Sequence, residues 1–285
     1  MTSLSTSTAP PAAVSTTGTT AHLDHDWQRA GDAWGSAASD WACLFEPYAL
    51  DVVSAIFQRT GIGPGTRLLD VACGSGWAIR YAAGMGATTA GLDASTALME
   101  IAGDRNPGAD LRTGTMFDLP WSDESFDVVT SINGIWGDCD EALGEAFRVL
   151  RPSGLIGISF WGDGAPNDLR ACFKVFARNS PSWHLEGMKK TNGIAFPGVA
   201  EGMLERADFE VLERGARVST LEWPDADIAW RAMASVGPAV PALAHADHDQ
   251  LRTDVIEAMT PSLGRDGVYR FRNDHHFVIA RKPAR

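Results

Sequence analysis

The chain has 285 residues, 45% of them hydrophobic, and a formal net charge of −12. That length suits one α/β domain with additions, and the apolar share can fill a large core. The acidic balance, without any Lys/Arg cluster, argues against a protein that tracks nucleic-acid phosphates. Four cysteines, Cys43, Cys73, Cys139 and Cys172, form no CxxC pair, and none stands beside a histidine at a zinc spacing. They read as reduced thiols, and no metal site is expected. No run approaches the roughly 18 apolar residues of a membrane span. Residues 1–20 are rich in Ser, Thr, Ala and Pro and lack the basic start and apolar middle of a signal peptide, so they read as a disordered tail. The expectation is a cytoplasmic protein with no nucleic-acid or membrane partner, its oligomeric state open.

Ordered structure is expected over 21–285 as a single domain, starting with an N-terminal helical region, 26–60. Within it, Asp40–Arg59 sets Trp41, Leu44, Phe45, Tyr48, Val52, Val53 and Ile56 at offsets of three and four, which marks an amphipathic helix, and Pro47 kinks or divides it. Gly61–Gly65 breaks the chain. Arg67–Ala72 then suits a buried parallel strand, Ala78–Met85 a helix, Thr88–Asp93 a second strand and Ser95–Ala102 a second helix. Asp110–Thr113, Phe126–Ile132 and Gly154–Trp161 follow as strands three to five, with a helix over Asp140–Leu150 that stops before Pro152. Val199–Ala207 reads as helix, and Phe209–Thr220 and Tyr269–Arg281 as the last two strands.

The predicted fold class is α/β: a Rossmann-like, mostly parallel sheet of seven strands with helices on both faces. Right-handed crossovers place the C-terminal ends of the parallel strands on one edge, where ligands bind at the switch in strand order. Two connections, 162–197 and 224–267, are longer than usual and leave from that edge, so they are expected to build a cap with the N-terminal helix.

The chemistry concentrates in Asp70-Val71-Ala72-Cys73-Gly74-Ser75-Gly76-Trp77, a strand entering a helix through small residues. Small residues let the backbone approach a ligand, and the helix N-terminus offers free N–H donors. Nicotinamide enzymes use G-x-G-x-x-G at such a turn. Here the spacing is D-x-A-x-G-x-G, with an acid, Asp70, just before the turn, which would repel a pyrophosphate and suits a ligand bearing an ammonium and a sulfonium.

LLDVACGSGW resembles motif I of the class I methyltransferases, in particular the small-molecule enzymes related to the ubiquinone-biosynthesis methyltransferases. The resemblance spans roughly residues 41–161 and implies S-adenosylmethionine as cofactor, with S-adenosylhomocysteine as product. It implies that Asp70, Ala72, Cys73, Gly74 and Gly76 hold the methionine end, Ala72 standing where the family usually has glycine. Asp93, in AGLDAST, matches the acid that takes the ribose hydroxyls, and Ala94 and Leu98 match positions against the adenine. Thr115, Met116 and Phe117 match the G-D-A-x-x-L-P segment, with Thr115 replacing the family's acid. Asn133 matches a polar position near the methionine. RVLRPSGL resembles a structural turn before the fifth strand.

Beyond the motifs, Trp41 and Tyr48 are placed to close over the cofactor, where an aromatic face also suits a sulfonium. Trp136, Trp183 and His245 are candidate substrate contacts, and His184 is the candidate catalytic base. His275 and His276, on the last strand with one facing each side, read as structural. Asp138 and Asp140 lack the companion Asp-Asn pair of the magnesium-dependent catechol enzymes, and Asn133-Gly134-Ile135 does not match the N/D-P-P-Y of amino-group DNA methyltransferases. The function read from all this is methyl transfer to an O, N or C atom of a small organic molecule, in the setting of secondary metabolism, mainly by positioning and desolvation, because the donor is already activated and a base is needed only if the attacking atom must lose a proton. The alternatives are other chemistry in the same cofactor pocket, or an inactive cofactor-binding protein.

Overall fold

The computed structural model describes residues 27–137, 139–182 and 193–284. Seven strands form one sheet in the order β3-β2-β1-β4-β5-β7-β6. They are β1 (Arg67–Val71), β2 (Thr88–Asp93), β3 (Asp110–Thr113), β4 (Phe126–Ile132), β5 (Leu150–Trp161), β6 (Glu210–Trp223) and β7 (Tyr269–Arg281). The first five pair in parallel, and β7 runs antiparallel between β5 and β6. The order reverses at β1, so the glycine loop after β1 lies at the switch point.

Alternation along the strands divides the core between the two faces. Leu68, Val128, Phe277 and Ile279 join one apolar cluster, while their neighbours Leu69, Val129, Val278 and Ala280 join the other. Both sets are buried, which is why these strands read as continuous apolar runs. Helices α1 (Trp27–Gly35), α2 (Leu50–Thr60), α3 (Trp77–Gly84), α4 (Thr96–Arg105), α5 (Asp140–Val149), α6 (Arg170–Arg178), α7 (Val199–Arg206), α8 (Ala226–Ala234), α9 (Val240–His245) and α10 (His248–Met259) flank the sheet.

Two strands run longer than expected, and the N-terminal helix is divided, as Pro47 implied, but into more pieces. The helix expected over Asp40–Arg59 is in pieces: a helical turn at Ala38–Asp40, a π-helical turn at Trp41–Phe45, a 3-10 turn at Glu46–Ala49, and then α2. Pro47 supplies no N–H, so the regular ladder cannot run through it. Strand β5 starts at Leu150 rather than Gly154, because Leu150 pairs with Phe126 before the register slips. Strand β6 continues past Thr220 to Trp223, where buried Leu221 and Trp223 pair with Phe271 and Tyr269.

The first long connection contains α6, and the second contains α8, α9 and α10. The second packs on the N-terminal segment: Trp223 Nε1 donates to the Leu44 carbonyl (2.9 Å), and Arg231 pairs with Asp40. Gly237 lies so close to the Trp34 ring that a Cβ there would sit 2.8 Å from it. Among the described residues no helix is long and apolar enough to cross a membrane.

Candidate functional site

Strand β1 ends in Asp70 and Val71, and the chain turns through Ala72–Gly76 into α3. The turn needs left-handed backbone at Ala72 (φ 59°), Gly74 (φ 55°) and Gly76 (φ 74°). Ala72 is the one that bears a side chain, so the loop is strained where the family's usual glycine is missing. The two glycines have different second duties. A Cβ on Gly76 would lie 2.5 Å from Asn106 Nδ2, so its smallness serves the packing of α3 on α4. A Cβ on Gly74 would lie 3.0 Å from Glu46 Oε1 and 3.6 Å from Trp41 Nε1, so its smallness serves the cleft.

Two buried acids bracket the loop. Asp70 accepts from Thr130 Oγ1 at 2.6 Å, and burial pushes its carboxyl up to about 7. Asp93, at the end of β2, accepts from the Gly74 N–H and the Ser95 N–H, both at 2.8 Å. It therefore fastens the β2 end to the loop, and burial raises its pKa despite these bonds. A carboxylate has about four acceptor sites, so Asp93 keeps capacity for hydroxyl donors. Among the described residues no cation pairs with Asp70, in a site that resists its charge, and a ligand ammonium would draw it back to the ionised form.

The N-terminal segment forms the other wall. Trp41, Glu46 and Tyr48 enclose a cavity of about 50 Å3 with Asp70, Ala72 and Gly74. Small-molecule sites usually measure about 300–1,000 Å3, so the segment is closed down on the loop. The Glu46 carboxylate accepts from the Ser75 N–H (3.1 Å), from Ser75 Oγ, and from Arg105 Nη1 (2.9 Å). It occupies the place on the loop where an anionic ligand group would dock. Desolvation raises its pKa, with Ser75 and Arg105 opposing the shift. The Trp41 indole N–H is buried in the same wall with no hydrogen-bond partner among the described residues. Such an orphan donor costs about 1–3 kcal/mol and calls for an acceptor brought in from outside.

The other residues expected from sequence distribute as follows. Cys73 packs its sulfur on Met99 Sδ at 3.7 Å. The Ala94 carbonyl lies under α1, where Gly31 makes the close approach, and Leu98 is buried below its helix cap Ser95. Thr115 Oγ1 accepts from the Phe117 N–H at 3.3 Å, holding the turn after β3, while Met116 and Phe117 pack against the second core. Asn133 stands after β4 with φ 57° and meets Tyr48, Ser159 and His275. Trp136 donates through Nε1 to the Asn133 carbonyl at 3.3 Å and packs against the second core, outside the lining of the cavity. His245 is exposed at the end of α9, its Nδ1 on the Pro241 carbonyl (2.7 Å), and is not brought to the cleft. His248 packs edge-on against Trp230. Trp183, His184 and Asp138 lie outside the described residues.

Sequence reasoning passed over Glu46, Ser75 and Arg105. One signal was available: Glu46 is a lone acid inside an aromatic, apolar run. A larger groove of about 860 Å3 lies between α6 and α10, lined by Lys174, Arg178, Asp254 and Glu257 among others. None of the loop residues reaches it, so the chemistry places the site at the smaller cavity.

The donor set fits S-adenosylmethionine. It combines an orphan N–H, two acids at the ends of β1 and β2, an aromatic wall, and a loop that admits close backbone approach. Sheet order, loop and acids together define the class I methyltransferase fold. Residues 69–158 match the family model of the methyltransferase domain. An uncharacterised protein of Mycobacterium tuberculosis is 34% identical over 131 residues, 44% of this chain and 48% of that protein. A demethylmenaquinone methyltransferase of Renibacterium salmoninarum is 27% identical over 173 residues, 60% of this chain and 71% of that one. Among solved structures, the [4+2]-cyclase SpnF has a TM-score of 0.56 at 18% identity, covering 91% of this chain and 94% of that chain. A phosphoethanolamine N-methyltransferase of Haemonchus contortus, solved with S-adenosylhomocysteine, has a TM-score of 0.51 at 18% identity, covering 82% of this chain and 52% of that chain. The chain has the fold of the class I S-adenosylmethionine-dependent methyltransferases, and the family match lies over residues 69–158. The chain spans about half the length of the first curated relatives it matches.

Proposed function

We propose that this protein transfers a methyl group from S-adenosylmethionine to an O, N or C atom of a small organic molecule. The observation that carries the reading is the wall of the cavity. A buried indole N–H and a buried Asp70, neither of them partnered by a suitable acceptor or cation among the described residues, line the cavity with a glycine turn at the sheet's switch point. When bound, the cofactor supplies a methyl group already activated as a sulfonium. Asp70 and the Ala72–Gly74 backbone would hold its ammonium end, Asp93 its ribose hydroxyls, and Trp41 an acceptor atom.

The chain's own work is to position and to exclude water. Fixing two reacting groups in near-attack geometry supplies several kcal/mol of the barrier. The aromatic wall of Trp41, Tyr48 and Trp77 would keep water from the bound cofactor, which favours neutralisation of a sulfonium. A base is needed only where the attacking atom must lose a proton in the same step. The two long connections, 162–197 and 224–267, would cap the acceptor, with Trp136 on its floor. An apolar, aromatic surround suits an organic acceptor with hydrophobic surface, as in secondary metabolism. Calorimetric titration with S-adenosylmethionine, S-adenosylhomocysteine and NAD tests the pocket, and release of S-adenosylhomocysteine across an acceptor panel tests the transfer. Asp93→Ala that still binds either cofactor form as tightly as wild type would refute the assignment.

A further inference from the structure

Beside the cleft, four side chains from four parts of the chain form an unbroken polar file. Ser219 of β6 meets His275 Nδ1 at 2.8 Å, and His275 Nε2 meets Asn133 Oδ1 at 3.0 Å. Asn133 Nδ2 donates to Tyr48 Oη. Ser159 Oγ adds a donor to Asn133 Oδ1 at 3.3 Å. Ser219, Ser159 and His275 are fully buried, and Tyr48 nearly so. Trp161 stacks on both Tyr48 (4.7 Å, 24°) and His275 (4.9 Å, 24°), the two members that flank Asn133.

The file has a direction. Burial brings His275 down to about 3, so its ring is neutral, with one donor and one acceptor nitrogen. With the Asn133 amide assigned as above, Oδ1 can only accept, so His275 Nε2 carries the hydrogen and Nδ1 accepts from Ser219. Donation then runs from Ser219 to His275 to Asn133 to Tyr48. The Tyr48 oxygen receives a hydrogen, and its own hydrogen is left over. Burial raises the Tyr48 pKa, so the phenol stays a donor. Tyr48 shares the cavity wall with Asp70, Ala72, Cys73 and Gly74, the loop side of the cleft. Turning the Asn133 amide over would reverse every bond and consume the Tyr48 hydrogen.

We propose that His275, backed by Ser219, is a positioning residue that holds Asn133 in one amide orientation and so dedicates the Tyr48 hydroxyl as donor to an oxygen at the amino-acid end of bound S-adenosylmethionine. The inference rests on the methyltransferase reading. A carboxylate is the oxygen acceptor that a fixed phenol donor rewards most, since the bond is charge-assisted.

Two ligands separate this role from general packing: S-adenosylhomocysteine, and 5′-methylthioadenosine, which lacks the amino-acid end. Calorimetry should show Tyr48→Phe weakening S-adenosylhomocysteine by about tenfold, the worth of one charge-assisted bond, with methylthioadenosine nearly unchanged. His275→Leu should reproduce that pattern. His275→Gln, whose amide N–H can still donate to Asn133, should recover most of the loss. Should His275→Leu fail to fold, Tyr48→Phe and a long-range 15N–1H spectrum of histidine-labelled wild type remain, and His275 should appear there as the Nε2–H tautomer. An Nδ1–H tautomer, equal losses on both ligands, or wild-type affinity in Tyr48→Phe would each overturn the proposal. Wild type that binds neither ligand would overturn the methyltransferase reading itself.

Discussion

Replacing Glu46 with Gln should tighten cofactor binding while it weakens the ligand-free fold. Three donors hold the carboxylate: the Ser75 N–H, Ser75 Oγ and Arg105 Nη1. The Glu46 and Arg105 side chains are only 10% and 20% exposed, so water screens the pair little. Bonds to a charged group are worth about 1.5–3 kcal/mol and neutral ones about 0.5–1.5. Glutamine keeps some neutral bonding and escapes the cost of a buried charge, so the latch should lose on the order of 1.5 kcal/mol. A ligand that must first open the latch recovers that amount, which is roughly tenfold in Kd. Motion should be confined to Trp41–Glu46, because Trp161 and the Asn133 file anchor Tyr48. The π-helical turn at Trp41–Phe45 supplies an irregular stretch suited to it. Stopped-flow tryptophan fluorescence with S-adenosylhomocysteine should show the gain in the association rate, and thermal melting should show a lower Tm without ligand. Weaker or unchanged affinity in a folded Glu46→Gln protein would refute the reasoning and make Glu46 a direct cofactor ligand or a bystander.

Trp41→Phe removes the orphan N–H, so the ligand-free protein should lose no stability while S-adenosylhomocysteine affinity falls by about fivefold to tenfold, read by melting and calorimetry together. Asp93→Ala strips acceptors from the Gly74 and Ser95 N–H groups and should cost on the order of 2 kcal/mol in urea unfolding, besides weakening cofactor binding. Asp70 has its folded pKa raised to about 7, so its contribution to stability is present below the ordinary carboxylate range and is lost as pH rises through 7. Asp70→Asn should therefore gain stability relative to wild type between pH 5 and pH 8 in paired urea melts, and a constant difference would contradict the burial argument.

The sheet was legible because its strands are buried on both faces and separated by glycine and proline punctuation, as in Arg67–Val71 between Gly65 and Gly74. The loop and Asp70 were legible because spacing along one strand-turn-helix unit sets their geometry, and Asp93 because the family resemblance puts an acid at the end of the second strand. Glu46 on Ser75 was not, since the contact joins residues 29 apart and depends on how Pro47 divides a helix. Nor was the role of His275. Its partners Asn133 and Ser219 lie 142 and 56 residues away and meet only through the pairing of β5, β7 and β6. Periodicity could place His275 on one face of its strand but could not name what it would touch. The split of Asp40–Arg59 at Pro47 was anticipated, whereas the π-helical turn before it has no signature in residue type.

The most direct test is a calorimetric titration of S-adenosylhomocysteine, with NAD as control, into the full chain and into Glu46→Gln. A one-to-one complex with S-adenosylhomocysteine, tighter in the variant, and no heat with NAD is the expected result. Folded protein in which neither form binds S-adenosylhomocysteine, or in which NAD binds instead, would contradict the assignment of this cleft.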